Sequence, residues 1–176
     1  MRYLVIGTSG AGKSTFAQAL ATATNATYIE LDAHYWGPDW QAVHPEQFKR
    51  SVVAATQGER WVADGNYSAV RDDLWPRATH VVWLNYARST VFSRVLWRTL
   101  SRGLLRTRLY QGNRESLRMA FLSKDSILLW SWTTYAKNQQ KFAALRAQPE
   151  FAHLQWTELT QPAQAQAFLA AAAKHG

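Results

Sequence analysis

The chain has 176 residues, of which 47% are hydrophobic, with nine tryptophans, no cysteine and a formal net charge of +8. Its length predicts a single domain over residues 1–176 with a sizeable core, and its composition excludes disulfides and thiolate metal sites. No apolar run approaches the roughly 20 residues of a membrane span or forms a signal-peptide core, so we expect a cytoplasmic protein that does not contact the membrane.

Short apolar runs alternate with longer helical patterns along the chain. This alternation is typical of a parallel sheet with helices on both faces, and it predicts an α/β fold of three layers, α/β/α. The predicted strands are 2–6, 27–31, 60–64, 79–84 and 153–157. The predicted helices are 13–23, 45–57, 68–75, 87–102, 124–147 and 162–173. Residues 103–123 break the pattern with glycines and scattered arginines, and we interpret them as a lid excursion from a core of about 1–102 and 124–176.

The first predicted strand leads directly into a glycine-rich loop, Gly7 to Ser14, which reads G-T-S-G-A-G-K-S and matches the phosphate-binding pattern G-x-x-x-x-G-K-[ST]. Its backbone N–H groups and a following helix N-terminus would bind phosphates, Lys13 would reach the β and γ phosphates, and Ser14 would bind Mg²⁺. The glycine spacing disfavours a dinucleotide-binding turn, and the Lys-Ser pair disfavours a purely structural turn. The predicted nucleotide-binding residues are Gly7, Gly10, Ala11, Gly12, Lys13, Ser14 and Thr15.

Two carboxylates follow predicted strands, at the edge of the sheet where ligands of such folds bind. Asp64 follows an apolar strand in the arrangement that positions Mg²⁺ in phosphate-loop enzymes, so Ser14 and Asp64 are the predicted metal ligands. Asp32 would face the acceptor, where it would take a proton from a hydroxyl or bind a polar group. For either aspartate the alternative role is a helix cap or a turn.

Other candidate substrate-binding residues neighbour these carboxylates. Asn66 follows Gly65, which lets the backbone pass close to a ligand. Arg71 has only Asp72 and Asp73 beside it, and neighbours at that spacing do not face each other on a helix. Trp36 belongs to an aromatic stretch that would either stack on a flat substrate or pack in the core. The predicted substrate-binding residues are Asp32, Trp36, Asp64, Asn66 and Arg71.

Most of the positive charge lies in one segment. Residues 88–118 contain eight arginines, no lysine and one acid, which is +7 of the net +8. The arginines at 94, 98, 102 and 106 are four residues apart, so on a helix they share one face. A solvated face is the alternative, but such faces normally mix signs, because like charges at this spacing destabilise a helix. The row therefore predicts an anionic partner, for which polyphosphate is the natural candidate.

Together these residues resemble a known family. The loop at 7–14, the Leu31-Asp32-x-x-x-Trp36 stretch, the Asp64-Gly65-Asn66-Tyr67-Ser68 segment with Arg71, the Arg98 and Arg102 pair, and the Gly112-Asn113-Arg114-Glu115 segment resemble small bacterial adenylate-kinase-like phosphate-loop proteins, often labelled DNA topology modulation proteins.

The resemblance covers residues 2 to about 142. It implies a nucleoside-monophosphate-kinase-like P-loop NTPase fold with a five-stranded parallel sheet, ATP on the glycine loop, and an arginine-bearing lid served by Arg98 and Arg102. The sequence departs from true adenylate kinases at Asn66-Tyr67, and the stretch 33–59 has only Arg50 as a candidate clamp for AMP.

The leading functional hypothesis is an ATP-dependent kinase that phosphorylates a nucleoside, a nucleotide or another small metabolite. Its predicted catalytic residues are Lys13, Asp32, Arg98 and Arg102. One alternative is a nucleotide-switched regulator whose arginines follow a nucleic-acid backbone, which would bind with strong salt dependence. A second alternative is a slow NTPase that has no acceptor.

Overall fold

The computed structural model describes residues 1–105 and 127–174, with side chains described for residues 1–97 and 134–174. Five strands form one all-parallel sheet in the order β2-β3-β1-β4-β5. The strands are Arg2–Gly7 (β1), Thr27–Glu30 (β2), Trp61–Asp64 (β3), His80–Leu84 (β4) and Gln155–Leu159 (β5). The α-helices are Lys13–Ala23 (α1), Leu31–Tyr35 (α2), Pro45–Ala55 (α3), Arg71–Leu74 (α4), Arg88–Leu105 (α5), Ile127–Arg146 (α6) and Pro162–Ala172 (α7).

The central strand β1 contributes to a separate apolar cluster on each face of the sheet. Leu4 and Ile6 belong to the cluster that includes Phe48 of α3 and Phe142 of α6. Tyr3 and Val5 point the other way, because successive side chains of a strand alternate between faces. Their cluster includes the following residues of α1, α5 and α7: Phe16, Leu20, Val91, Val95 and Ala165. The predicted three-layer α/β/α fold with five parallel strands is therefore confirmed.

The structure differs from the predicted elements mainly after β2. The predicted strand 27–31 ends at Glu30, because Leu31 begins the short helix α2, which the sequence pattern did not predict. Leu31 is buried against the sheet, and Asp32 lies in the first turn of that helix. The predicted helix 68–75 is a succession of a 3₁₀ turn, the single-turn helix α4 and a second 3₁₀ turn that contains Pro76.

The predicted lid falls largely outside the described residues. Helix α5 includes residues 103–105, and residues 106–123 lie outside the description. Within the described ranges, no helix is both long and apolar enough to cross a membrane.

Candidate nucleotide and acceptor site

The glycine-rich loop connects β1 to α1 and is folded by its own backbone. The Ala11 N–H donates to the Thr8 carbonyl at 3.1 Å. Gly10 and Gly12 have φ values of 86° and 89°, in the left-handed region that side chains disfavour. A Cβ atom on Gly10 would also lie 2.1 Å from Cγ2 of Val95, so the loop fits against α5 only with glycine there.

Helix α1 begins at the loop, with Gly12 as its N-cap residue. The Phe16 N–H donates to the Gly12 carbonyl at 3.0 Å, and the N–H groups before it lie at the positive end of the helix, where the helix offers them no acceptor. Lys13, Ser14 and Thr15 occupy this first turn and line a cavity of about 970 Å³. This is the arrangement that binds phosphate groups.

Asp64, at the end of β3, is hydrogen bonded through both carboxylate oxygens. Ser14 Oγ donates to Oδ2 at 2.7 Å, and the Tyr28 hydroxyl donates to Oδ1 at 3.2 Å. Asp64 is only 3% exposed, and this burial raises the pKa of its carboxyl from 3.8 to about 6. The hydrogen bond from Ser14 and the charge of Lys13 counteract the shift, whereas the charges of Glu30 and Asp32 add to it.

The Ser14 and Asp64 oxygens suit Mg²⁺, which prefers hard oxygen ligands and retains several waters beside phosphate oxygens. They adjoin the loop and line the same cavity, as a cation that bridges protein and polyphosphate requires. Burial of Asp64 makes its ionised form costly, so a bound cation would offset that cost. Among the described residues, no group of three or more acidic or histidine side chains is suited to holding a metal.

Asp32 reaches the same cavity from the edge of the sheet. It lies in the first turn of α2, and the Tyr67 hydroxyl donates to its Oδ1 at 2.6 Å. The Tyr67 ring packs against both Tyr35 and Phe48, with ring centroids 4.7 and 5.0 Å away. The carboxylate orientation is thus set by a side chain that is packed in place.

Asn66 binds the backbone at the start of the glycine-rich loop. Its Nδ2 donates to the Gly7 carbonyl at 2.7 Å, and the Gly7 N–H donates to its Oδ1 at 3.4 Å. Asn66 therefore ties the loop after β3 to the loop after β1. Its side-chain amide is thus hydrogen bonded within the protein, and substrate binding by Asn66 stays a prediction.

Arg94 reaches back from α5 to the glycine-rich loop. Its Nη1 donates to the Ala11 carbonyl at 2.9 Å, and its guanidinium carbon lies 5.0 Å from the centroid of the Tyr86 ring. Arg94 also lines the cavity, so one member of the arginine row adjoins the predicted phosphate site.

Strand order arranges these groups across the cavity. Asp32 follows the edge strand β2, Asp64 is the last residue of β3, and the glycine-rich loop connects the central strand β1 to α1. The cavity is lined beyond Asp32 by Tyr35, Trp36 and Trp40, and on the side of α1 and α7 by Phe16, Ala19, Pro162, Ala165, Gln166 and Leu169. Asp64 consequently lies between Asp32 and the glycine-rich loop.

The other predicted site residues divide into three groups. Trp36 lines the cavity, as do Gly10, Ala11, Gly12 and Thr15 of the loop. Arg71 is not among the lining residues: its guanidinium carbon lies 5.8 Å from the Trp75 ring centroid. Arg98 and Arg102 belong to α5, but their side chains lie outside the described residues, as does the whole of Arg106.

Sequence reasoning did not single out Tyr28 or Tyr67 as site residues, and it treated Arg94 only as part of a row. A tyrosine carries no positional signal of its own, because it is as common in cores as in sites. The position of Arg94 could have indicated a site residue. Of the four arginines in the row, it is the closest to the start of α5 and hence to the end of β4, where ligands of such sheets bind.

Neither a protein-family model nor a curated protein sequence matches the chain. Solved structures of kinases do share its fold. A gluconokinase from Sinorhizobium meliloti 1021 superposes with a TM-score of 0.51 at 16% identity, over 99% of this chain and 94% of that one. A sugar kinase from Janibacter sp. HTCC2649 gives 0.51 at 18% identity, over 98% and 92%. A shikimate kinase from Bacteroides thetaiotaomicron gives 0.53 at 15% identity, over 99% and 97%.

At these identities the similarity establishes the fold and not the reaction. The shared fold spans nearly the whole length of each of these kinase structures.

Proposed function

We propose that this protein is an ATP-dependent phosphotransferase that moves the γ-phosphoryl group of ATP to a hydroxyl of a small acceptor. The observation that carries the proposal is the presence of Lys13, Asp64 and Asp32 in one cavity, in an order that runs from phosphate loop to acceptor carboxylate. The finer assignment to adenylate-kinase-like proteins rests on the Asp64-Gly65-Asn66-Tyr67-Ser68 resemblance and is part of the proposal.

In this mechanism the loop N–H groups and Lys13 hold the phosphates. Ser14 and Asp64 would hold Mg²⁺, which neutralises charge on the β and γ phosphates when bound. Asp32, oriented by Tyr67, accepts the proton of the acceptor hydroxyl as that oxygen bonds to the γ phosphorus. The bond from the γ phosphorus to the β–γ bridging oxygen breaks, and ADP leaves.

Arg98 and Arg102 are proposed to close over the transferring group. Their positions on α5, one and two turns beyond Arg94, support this role because Arg94 contacts the phosphate loop. Neutralisation of charge that develops in the transition state is the reason such arginines accelerate phosphoryl transfer.

The direct test measures ADP formation from ATP in the presence of each member of a panel of candidate acceptors, which are nucleosides, nucleotides, sugars and other alcohols. Lys13→Ala is the inactive control. Asp32→Asn should lose transfer by about 100-fold or more while retaining ATP binding, which is the range expected for removal of a general base. Asp72→Asn, a substitution at an exposed aspartate of α4, is the matched control and should behave as wild type. Unchanged turnover in Asp32→Asn would refute the role of Asp32.

The same panel separates the competing functions. Phosphate release that no acceptor accelerates would identify an NTPase without acceptor. Tight, strongly salt-dependent binding to duplex DNA, with no turnover, would favour the nucleic-acid regulator suggested by the arginine-rich segment.

A further inference from the structure

The Asp64 carboxylate accepts a hydrogen bond from a residue that belongs neither to the glycine-rich loop nor to the proposed mechanism. Ser14 Oγ of α1 donates to Oδ2 at 2.7 Å, and the Tyr28 hydroxyl of β2 donates to Oδ1 at 3.2 Å. One partner lies on the helix that follows the loop, and the other lies on the edge strand beside β3. The two oxygens of this carboxylate therefore have different partners on different elements.

The register of the strands explains why Tyr28 reaches Asp64. β2 pairs in parallel with β3, with Tyr28 opposite Val62 and Glu30 opposite Asp64. Residues two apart on a strand point to the same face of the sheet, so Tyr28 and Asp64 share a face and are offset by about 6–7 Å along the strands. A tyrosine side chain is long enough to span this offset, and its hydroxyl consequently meets the carboxylate at the end of β3.

Packing holds the Tyr28 ring in place. The side chain is half-buried and packs against the apolar cluster that includes Val62 of β3 and Phe16 and Leu20 of α1. A tyrosine side chain has only two rotatable bonds that move the ring, so a packed ring presents its hydroxyl from one direction. The position of this hydroxyl is thus set by the sheet and by α1.

The two hydrogen bonds together restrict the rotation of the Asp64 carboxylate about its Cβ–Cγ bond. That torsion has a broad, two-fold energy profile in the absence of specific partners. With Oδ1 held by Tyr28, Oδ2 stays directed at Ser14, the residue proposed to bind Mg²⁺. Each carboxylate oxygen has two acceptor positions, so both oxygens keep the capacity to contact a water or a cation.

We propose that Tyr28 is a positioning residue of the Mg²⁺ site, whose hydroxyl holds the Asp64 carboxylate in the orientation in which Asp64 and Ser14 together bind the cation. Outer partners of this kind orient metal ligands, and their loss typically lowers metal affinity about 10- to 100-fold. Mg²⁺ is sensitive to such a change because it requires near-ideal octahedral geometry. The inference rests on the proposed function, from which the Mg²⁺ site is taken.

The test measures how strongly Mg²⁺ tightens nucleotide binding, without any turnover. The dissociation constant of a non-hydrolysable ATP analogue is measured by titration calorimetry in EDTA and again at saturating Mg²⁺. The ratio of the two constants reports the coupling between nucleotide and cation. In Tyr28→Phe, which keeps the ring, this ratio should fall about ten-fold, whereas the dissociation constant in EDTA should stay at the wild-type value.

Tyr3→Phe is the matched control. Tyr3 of β1 lies opposite Val62 on the other side from Tyr28 and belongs to the same apolar cluster, but its hydroxyl donates to the Met1 sulfur at 3.5 Å. The ratio should be unchanged in this variant, and thermal unfolding of each variant verifies the fold.

Two further measurements separate positioning from packing. Tyr28→Leu, a second variant without the hydroxyl, should lower the ratio as Tyr28→Phe does. With Ca²⁺ in place of Mg²⁺ the loss should be smaller, because Ca²⁺ accepts a more flexible coordination geometry. An equal loss with both cations would contradict an effect on the orientation of the ligands.

The outcomes for the role of Tyr28 and for the proposed function are distinguishable. A wild-type ratio in Tyr28→Phe would overturn the role of Tyr28 and leave the phosphotransferase proposal standing. Equal weakening in EDTA and in Mg²⁺ would also overturn that role, because a packing effect does not depend on the cation. A wild-type protein that Mg²⁺ does not help to bind the analogue would refute the metal site and the inference with it. Failure of the wild type to bind the analogue under both conditions would refute the proposed function itself.

Discussion

The Tyr67 hydroxyl donates a hydrogen bond of 2.6 Å to the Asp32 carboxylate, although the two residues are 35 positions apart in the sequence. Tyr67 belongs to the same segment as Asp64 and Asn66, which contact Ser14 and Gly7. One short segment that begins at the end of β3 therefore contacts Asp32, Ser14 and the glycine-rich loop.

Removal of the Tyr67 hydroxyl should impair turnover and not nucleotide binding. In Tyr67→Phe the ring can keep its packing against Tyr35 and Phe48. Asp32, however, loses a hydrogen bond, and a hydrogen bond to a charged group contributes about 1.5–3 kcal/mol. We expect kcat to fall about ten-fold or more, with the dissociation constant of ATP unchanged, in steady-state and binding assays.

The control for that variant is Tyr3→Phe. Tyr3 lies in β1 at the opposite end of the sheet, where its hydroxyl donates to the Met1 sulfur at 3.5 Å. Its removal should leave kcat unaltered. Equal losses in the two variants would point to a general packing effect.

Burial of Asp64 should make stability depend on pH. The pKa of its carboxyl is raised from 3.8 to about 6 by burial, so the folded protein binds this proton more tightly than the unfolded chain does. The stabilisation that comes from this tighter proton binding is fully present below pH 3.8 and is lost as pH rises through about 6. Asp64→Asn should therefore gain stability relative to wild type between about pH 4 and 7, on the order of 3 kcal/mol.

Urea unfolding of both proteins, without ATP or Mg²⁺, at several pH values in that range would measure the effect. Asp72→Asn, at an exposed position, should show no such trend. A stability difference between wild type and Asp64→Asn that does not change with pH would contradict the assignment of the shift to Asp64.

Loss of the Asn66 amide should loosen the phosphate loop. Asn66→Ala removes both hydrogen bonds to Gly7, each of which contributes about 1 kcal/mol. We expect the dissociation constant of ATP to rise about ten-fold, measured by titration calorimetry. The nearly isosteric Asn66→Asp should be at least as damaging, because it replaces the donor to the Gly7 carbonyl with a negative oxygen.

Arg94 should matter for nucleotide binding through the loop backbone. Arg94→Ala removes the hydrogen bond to Ala11 and the contact with Tyr86, and should weaken ATP binding about ten-fold. Arg94→Lys should be intermediate, because an ammonium keeps the charge but not the planar group that lies over the ring.

Arg146→Ala is the matched control for Arg94. Arg146 forms a surface pair with Glu158 at 3.4 Å, neither residue lines the cavity, and such pairs contribute little. ATP affinity should be unchanged in this variant. If Arg94→Ala also leaves ATP affinity unchanged, the guanidinium has no role at the loop.

Much of the fold followed from local patterns. The five strands were each predicted within two residues of their observed starts and ends, and α1 was predicted over its observed range, because apolar runs and helical spacing are short-range signals. Helix α2 was missed, since five residues cannot display a helical period. The phosphate loop and the two strand-end aspartates were predicted from a motif and from the position of ligands in such sheets.

The sequence by itself determined the class of fold and the glycine-rich loop that is predicted to bind phosphate, because strand periodicity and the Gly7–Ser14 motif are encoded by neighbouring residues. Only the tertiary structure decided which polar groups meet. Asn66 contacts Gly7 from 59 positions away and Arg94 contacts Ala11 from 83 positions away, and these pairings arise only once the strands are ordered β2-β3-β1-β4-β5. The same order buries Asp64 and raises its pKa, since burial is a property of what surrounds a residue in space and not of its neighbours along the chain.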